Sequence, residues 1–353
     1  MTIVVHGGNE AAPLSGQVPR RSDWHWPSFG AALCGQMNDR ERLGLPDRFV
    51  ASRLESALPQ AYARLRRAPL DALLKIVAAT DCALVQRIAA GNLLALQGDP
   101  RFATDRPEMR DIPGGEVAIG LAVHDVDNVL RDYAGLGLER SWIEKETPRH
   151  RVRLAPFRLA RYPVTNAEYR DFLLATGHAE IPSSWTFRQF PQERSNHPVY
   201  TVSAASADAY ARWLAQRTDR GFRLPGEAEW EWAAAGDQGR EFPWGEPFDA
   251  DLANTAESGL FTTSTVGVFV GGESPFGVCD MAGNVEEYVA DDYAAYPAGP
   301  WVADHLVQIH GSYRVARGGS FARFRDLARN CRRHGHNPRS ATYAMGLRLA
   351  ETP

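Results

Sequence analysis

The feature that most constrains the fold of this chain is an abrupt change in its hydrophobic pattern near residue 111. Between about 47 and 98, apolar residues recur at near-i+4 spacing, which is typical of amphipathic helices. Beyond 111, short apolar runs are separated by Gly, Pro, Asn and Asp, which predicts short strands and long loops, notably 236–283 and 291–313. The 353 residues are enough for two domains. We therefore predict an α+β protein, with a small helical bundle within residues 1–108 and a loop-rich domain over 109–353.

Individual residues predict where helices begin and end. Thr80 or Asp81 is a candidate N-cap for the last helix of the bundle, and Gly98 is a candidate C-terminal stop. In the second region, Thr165 is followed three residues later by Glu168, which is the pattern of a capping box. The sequence therefore predicts helices in both regions, but only a few in the second.

Composition and charge exclude several classes of protein. A net charge of −4 lacks the basic field of a nucleic-acid binder, and no apolar stretch approaches the roughly 18 residues that span a membrane. Residues 1–21 have neither the basic region nor the long apolar run of a secretory signal. The four cysteines are far apart with no CxxC pair, which favours free thiols in a reducing compartment. The sequence thus predicts a cytoplasmic protein whose partner is neither nucleic acid nor a membrane.

The basic residues are almost all of one type. Only Lys75 and Lys145 are lysines, so 37 of the 39 basic residues are arginines. Codon usage in a GC-rich genome produces such an excess, and so does a binding site that needs guanidinium groups; composition leaves both open. The densest cluster is the segment 323–337, RFRDLARNCRRHGHN, with five arginines, one aspartate, one cysteine and two histidines.

Several motifs occur in a specific order along the second region. They are ARYPVTNAEYRDFL (160–173), FRLPGEAEWEWAA (222–234), FPWG (242–245), FGVCDMAGNVEEY (276–288) and VARGGSFARFRDLARNCRRHGHNPRSATYAMGLRLA (315–350). Together they resemble the formylglycine-generating enzyme, or sulfatase-modifying factor, superfamily. The resemblance implies a loop-rich variant of the C-type-lectin fold, often held by structural calcium, preceded here by the helical region.

The resemblance does not extend to the copper site of authentic formylglycine-generating enzymes. Their copper(I) is held by two cysteines, three and eight residues after the serine of the GGS motif, because soft thiolates select Cu(I). The corresponding residues here are Arg323 and Ala328, and Cys331 is the only cysteine nearby. We therefore predict no copper-dithiolate chemistry.

A second substitution changes the expected floor of the pocket. Where the family usually has a tryptophan in its GNxWEW motif, this chain has Glu286, which we expect opposite Arg323. A carboxylate and a guanidinium suit a zwitterionic, amino-acid-like ligand, since the Arg–carboxylate pairing is strong and directional. The alternative is that Glu286 and Arg323 form a structural salt bridge with each other.

Histidines supply the candidate metal ligands. His334 and His336 form an HxH pair, which on an extended segment places both rings on one side, and His305 and His310 could reach the same face. A scattered surface or loop role is the alternative for all four. The resemblance extends distantly to the ergothioneine-type sulfoxide synthases, whose iron-binding HxxxHxE motif is absent here. The predicted catalytic residues are Glu286, Arg323, His334 and His336, and the predicted substrate-binding residues are Tyr288, Ser320, Arg325, Asp326, Arg329, Arg332 and Arg333.

The resemblance also carries over part of a calcium site. Asn254 and Thr255 occupy a calcium-binding position of the family, although the aspartate that usually follows about a dozen residues later is missing. Calcium needs six to eight oxygens, so the set is incomplete.

These features lead to two functional hypotheses. In the first, the chain is a metal-dependent oxygenase or oxidase, with non-heme iron or another transition metal, that acts on a small amino-acid-like substrate. In the second, it is a non-catalytic small-ligand-binding or accessory protein on a lectin-like scaffold.

Overall fold

Between residues 54 and 98, the helical pattern folds as three short helices. The computed structural model describes residues 54–338 and 343–353, and the helices within the first region are α1 (Leu58–Leu65), α2 (Leu70–Ala78) and α3 (Leu84–Gln97). Gly98 stops α3 with a φ of 85°, as predicted. The predicted N-cap of α3 was wrong, because the helix begins after Ala83 and no side chain caps it. The boundary at 108 stays a prediction, and His6, His25 and Cys34 lie outside the described residues.

The three helices contact the second region through an interface that is partly apolar and partly hydrogen-bonded. Apolar side chains of α2 and α3 share a core with Val268 and Phe269 of a distant loop. Beside this core, Asn196 donates to the Gly91 carbonyl at 2.9 Å, and the Ser195 hydroxyl donates to the Ala95 carbonyl at 2.8 Å. The two regions are therefore held together both by a shared apolar core and by hydrogen bonds from side chains of the second region to backbone carbonyls of α3.

After residue 108, the described part of the chain forms ten short strands in three sheets. The strands are β1 (Met109–Ile112), β2 (Gly115–Ile119), β3 (His150–Leu154), β4 (Phe157–Ala160), β5 (Gly221–Arg223), β6 (Glu286–Asp292), β7 (Arg314–Arg317), β8 (His334–Gly335), β9 (Met345–Leu347) and β10 (Ala350–Thr352). One sheet has the order β1-β4-β10-β5, a second pairs β2 with β3, and a third has the order β8-β7-β6-β9. The third sheet places the motif strands β6, β7 and β8 side by side.

Six α-helices of the second region pack around these sheets. They are α4 (Val126–Asp132), α5 (Arg140–Glu144), α6 (Asn166–Thr176), α7 (Ala204–Thr218), α8 (Glu227–Ala235) and α9 (His305–His310). The capping box of Thr165 and Glu168 at the start of α6 is confirmed. Helix α9, capped by Asp304, lies within the segment predicted as a loop over 291–313. The prediction of an α+β fold is confirmed.

The second region has several small cores instead of one large one. One gathers Tyr169, Phe172, Tyr210 and Tyr288 beneath α6 and α7, and another gathers Trp230 and Val289 between α8 and the third sheet. Among the described residues, no helix is long and apolar enough to cross a membrane.

Candidate functional site

A cavity of about 570 Å³ opens beside the arginine-rich segment. Its walls come from the loop 321–327, from β8 and the residues after it, and from the elements α5 and α9. Its volume lies within the range of roughly 300–1,000 Å³ that is typical of small-molecule sites. The chemically important residues of its lining are Lys145, Asp304, His305, Arg323, Asp326, Arg332, His334 and His336.

Arg323 is one of the two guanidinium groups that line the cavity. Its central carbon lies 4.2 Å from the centre of the Tyr343 ring, and its Nε lies 3.6 Å from Oε1 of Glu286. The predicted proximity of Glu286 and Arg323 is confirmed. The ion pair is long, however, and Glu286 itself lies behind the cavity wall, almost entirely buried. Arg323 thus lines the cavity, while Glu286 contacts it from the buried side of the wall.

Glu286 is joined to His334 by a short hydrogen bond between its Oε2 and the histidine Nδ1. Burial alone raises the pKa of Glu286, but the charge and hydrogen bond of His334, together with Arg323, outweigh it and lower the pKa below the usual range. Burial lowers the pKa of His334, and the Glu286 carboxylate offsets only part of that effect. At neutral pH, Glu286 is therefore ionised and His334 is neutral.

The ionised carboxylate fixes the tautomer of the histidine. A carboxylate only accepts hydrogen bonds, so the Nδ1 of His334 must carry the proton that Glu286 accepts. The Nε2 atom then holds the lone pair, as in other carboxylate–histidine pairs that act as proton acceptors. Because His334 lines the cavity, the pair places a proton acceptor in the cavity wall.

Asp326 is a buried carboxyl group that faces the cavity. The residue is 8% exposed and lines the cavity. It has no hydrogen bond or ion pair with any other residue in the described part of the chain. Burial raises its pKa, although Arg332, Arg329, Arg323 and His334 lie close enough to counter that effect in part. A buried carboxyl group without a partner is costly, so this position is suited to a cation supplied by a ligand.

The histidines of the HxH pair share the cavity, as predicted, but do not complete a metal centre with other described residues. His334 and His336 both line it, and the His336 ring stacks on Tyr343 at 4.5 Å. His305 reaches the wall from the start of α9, whereas His310 at the end of that helix does not line it. Within 54–338 and 343–353, no three His, Cys, Asp or Glu side chains converge as a metal site would require. The donor set described here therefore does not fit a three-ligand metal centre.

Most of the predicted substrate-binding arginines are engaged elsewhere. Arg329 has no exposed surface and forms a bidentate pair with Glu146 at 2.7 and 3.0 Å. Arg333 forms an equally close pair with Glu227, at 2.8 Å through both nitrogens. Arg332 does line the cavity, while its Nη1 donates to the carbonyl of Trp142 at 3.2 Å. Neither Arg329 nor Arg333 lines this cavity, which differs from the sequence-based expectation.

Three other predicted substrate-binding residues lie away from this cavity. The Tyr288 ring is part of the core between α7 and the third sheet. Ser320 is fully buried, and its carbonyl accepts from the backbone N–H of Arg323 at 2.9 Å. About a third of the Arg325 side chain is exposed, and its backbone N–H donates to Glu257 at 3.0 Å.

The predicted calcium position is a hydrogen-bonded polar core. The side-chain amide nitrogen of Asn254 donates to the Thr262 carbonyl at 3.0 Å, and its side-chain oxygen accepts from Ser258 at 3.1 Å. The backbone carbonyl of Asn254 accepts from Asn284 at 2.7 Å. The Thr255 hydroxyl donates to Glu257 at 2.7 Å. The oxygens of Asn254 are thus already occupied by protein donors, and calcium binding by Asn254 and Thr255 stays a prediction.

The described thiols do not offer a pair for copper at this cavity. Ala328 is fully buried in an apolar cluster. The Cys331 thiol lies 3.4 Å from Glu146 and 3.5 Å from Arg329, and burial raises its pKa. A thiol with a raised pKa is protonated at neutral pH, whereas copper(I) needs thiolates.

Sequence reasoning missed two charged residues of the cavity. Lys145 follows α5, and Asp304 precedes α9, so both lie outside the recognised motifs. Their ion pair measures 2.8 Å and is almost completely buried. The signal was present in the composition, because Lys145 is one of only two lysines in the chain.

Comparison with known proteins decides the family. The model of the sulfatase-modifying factor enzyme 1-like domain matches residues 97–353. The chain belongs to this family. The match covers every strand and the entire cavity lining, and it begins at the last residue of α3.

Relatives within the family have different activities. The chain is 31% identical to the formylglycine-generating enzyme of Streptomyces coelicolor, over 68% of this chain and 87% of that protein. It is also 31% identical to the hercynine oxygenase of Mycolicibacterium smegmatis, over 68% of this chain and 60% of that protein. Against some longer curated relatives it spans about a third of their length.

A solved structure supports the fold. PvdO from Pseudomonas aeruginosa superposes with a TM-score of 0.54 and 27% identity, over 71% of this chain and 96% of that one. The predicted formylglycine-generating-enzyme type of C-type-lectin-like fold, preceded by helices, is confirmed.

Proposed function

We propose that this member of the sulfatase-modifying factor enzyme family is an oxygenase or oxidase that acts on a small amino-acid-like molecule bound in the 570 Å³ cavity. The reaction class is supported by the similarity to a hercynine oxygenase. The ligand class is supported by the charges of the cavity wall. A cytoplasmic location, inferred from the separated cysteines, belongs to the same proposal.

The Asp326 carboxylate carries the proposal for the ligand. It is buried, faces the cavity and forms no hydrogen bond or ion pair among the described residues, so it can accept hydrogen bonds from the ammonium group of an amino acid. The guanidinium groups of Arg323 and Arg332 line the same cavity, where they can bind the ligand carboxylate with directional hydrogen bonds. A zwitterion therefore matches both signs of charge.

His334 would act on the bound ligand as a proton acceptor. Its Nε2 lone pair takes a proton from the substrate, and the ionised Glu286 stabilises the imidazolium that results. The oxidant is proposed to be dioxygen: an oxidase passes two electrons and two protons from the substrate to dioxygen, which leaves as hydrogen peroxide, whereas a dioxygenase adds both oxygen atoms to the product.

Binding can be tested with one carboxyl substitution and a matched control. Asp326→Asn keeps the size of the side chain but removes its charge, and we expect it to weaken the binding of cavity-directed amino acids at least tenfold by titration calorimetry. Arg323→Ala should weaken the same ligands with little change in the thermal unfolding temperature. The control is Asp132→Asn, because Asp132 is an exposed residue of α4. Equal affinity of the Asp326→Asn variant and the wild-type protein would refute this binding mode.

The second hypothesis, a non-catalytic binding protein, is favoured by one observation. The described residues supply no convergent set of three metal donors. Oxygen uptake by protein purified from metal-replete medium separates the two functions. Ligand-dependent uptake that is lost in Glu286→Gln supports the enzyme, whereas tight binding without uptake supports the binding protein.

A further inference from the structure

Lys145 is a buried lysine in the wall of the cavity. It is 5% exposed and lines the cavity at the end of α5. The other lysine of the chain, Lys75, is an exposed residue of α2. In a chain that otherwise uses arginine, the cavity therefore contains one compact ammonium group instead of a planar guanidinium group.

The described residues accept only some of the hydrogen bonds that the Lys145 ammonium group can donate. Its Nζ donates to Oδ2 of Asp304 at 2.8 Å and to the hydroxyl of Tyr313 at 3.3 Å. The Tyr313 hydroxyl in turn donates to the same Asp304 oxygen at 3.0 Å. An ammonium group has three N–H donors, and no third acceptor for Lys145 is found among the described residues. One donor is thus left to whatever occupies the cavity.

The position of the ammonium group is fixed by the surrounding structure. The Lys145 carbonyl accepts from Arg333 at 2.9 Å, which holds the backbone. Asp304 is held in turn because its Oδ1 caps α9 by accepting from the Val307 N–H at 3.0 Å. The Tyr313 ring packs against Gly335, where an added Cβ would overlap the ring. Lys145 is therefore preorganised and does not need to move in order to meet a ligand.

The surrounding charges favour an anionic acceptor over a neutral one. Burial and the positive charges of Arg332 and Arg333 lower the pKa of Lys145, while Asp304 counters them only in part. A carboxylate oxygen that enters the cavity relieves this repulsion and also fills the open donor position. The cavity volume of about 570 Å³ leaves space beyond the amino-acid head group.

We infer that Lys145 binds a second carboxylate of the ligand, so that the cavity takes a dicarboxylic, amino-acid-like molecule. The inference rests on the proposed function, in which Arg323, Arg332 and Asp326 bind the amino-acid head group. Lys145 then determines specificity for the far end of the ligand, by selecting an oxyanion over an uncharged side chain.

Matched ligand pairs test the inference by titration calorimetry. The probes are the L-amino diacids aspartate, glutamate, 2-aminoadipate and 2-aminopimelate, each compared with its side-chain amide. We expect at least one diacid to bind tenfold or more tightly than its amide. This ratio should fall to about two or less in Lys145→Met, while it stays unchanged in the control Lys75→Met.

A measurement on the unmodified protein keeps the test independent of folding in the variant. With ¹³C-labelled lysine, the chain gives one Cε signal from Lys145 and one from Lys75. The diacid should shift the Lys145 signal, its amide should shift that signal much less, and neither probe should shift the signal of Lys75.

The outcomes separate the inference from the proposed function. If diacids and amides bind equally and Asp326→Asn weakens both, the inference is overturned while the proposed function stands. If no probe binds, or if Asp326→Asn has no effect on binding, the head-group site is refuted and the inference is refuted with it.

Discussion

Arg323 and Arg329 lie six residues apart in the same arginine-rich segment, yet their surroundings differ completely. Arg323 lines the cavity, and its Nε lies 3.6 Å from Oε1 of Glu286. Arg329 has no exposed surface and is held by both oxygens of Glu146. The same residue type thus lines a cavity in one position and cross-links the fold in the other. The difference lies in geometry, because Arg329 forms a close bidentate pair with its carboxylate, whereas the contact of Arg323 with Glu286 is long and leaves Arg323 in the cavity wall.

The cross-linking arginines form a set with shared properties. Each is almost fully buried and is paired with a glutamate from another segment. The members are Arg317 with Glu227 and Glu231, Arg329 with Glu146, Arg333 with Glu227, and Arg348 with Glu287. In a domain of short strands and long loops, these pairs join segments that lie far apart in the sequence.

The largest expected effect comes from breaking one of these cross-links. Glu146→Ala leaves the guanidinium of Arg329 buried without a counter-charge, and we expect the free energy of unfolding to fall by about 3–5 kcal/mol. Urea unfolding monitored by circular dichroism measures this change. The double variant Glu146→Leu/Arg329→Met should recover much of the loss, because it removes both buried charges. A loss below 1 kcal/mol in Glu146→Ala would show that Arg329 is not a structural residue.

An intermediate effect is expected for the cavity pair of Glu286 and His334. Here the quantity that changes is the pKa of His334, not the free energy of unfolding. The Glu286 carboxylate raises the pKa of His334, while burial lowers it further than the carboxylate raises it. Glu286→Gln should therefore lower the pKa of His334 still more, so that protonation occurs at a lower pH than in the wild-type protein. The ring Cε1 signal of His334, assigned with a His334→Gln variant, measures this by NMR. A rise in its pKa would contradict the described pair.

The same pair predicts how stability depends on pH. The pKa of Glu286 is lower in the folded chain than in the unfolded chain, so its contribution to stability is present above the unfolded value and is lost as the pH falls through the folded value. His334 also has a lowered pKa, so the unfolded chain takes up its proton first as the pH falls below about 6.5. Both groups make acid destabilising.

The smallest effect is expected for an arginine that belongs to neither group. About a third of the Arg325 side chain is exposed, and its guanidinium lies 3.5 Å from Glu257. Arg325→Ala should change the free energy of unfolding by no more than about 1 kcal/mol, because long, partly exposed ion pairs contribute little. The Glu257 carboxylate also keeps the hydrogen bonds from the Arg325 backbone N–H and the Thr255 hydroxyl. The substitution should leave amino-acid binding unchanged in calorimetry. A tenfold loss of affinity would instead show that Arg325 contributes to ligand binding.

Local signals in the sequence predicted the parts of the fold that depend on neighbouring residues. The capping box of Thr165 and Glu168 and the helix stop at Gly98 were both correct, because each rests on groups within one turn. The prediction that Glu286 lies opposite Arg323 was also correct, because it was based on their positions in the family motifs.

The arginine partners could not be predicted in the same way. Glu146 lies 183 residues from Arg329, and Glu227 lies 106 residues from Arg333. No periodicity links residues at such separations, so the segment looked like a single binding surface. Lys145 escaped notice for a related reason: its significance depends on α5 and α9 meeting at the cavity.

The interface between the helices and the lectin-like region determines where the chain can be truncated. The family match begins at residue 97, which invites a cut there. Such a cut would remove the carbonyl acceptors of Asn196 and Ser195 and expose the apolar side chains of Val268 and Phe269. The segment that matches the family and the segment that we expect to fold alone are therefore different. The helices bury part of the surface of the domain that follows them.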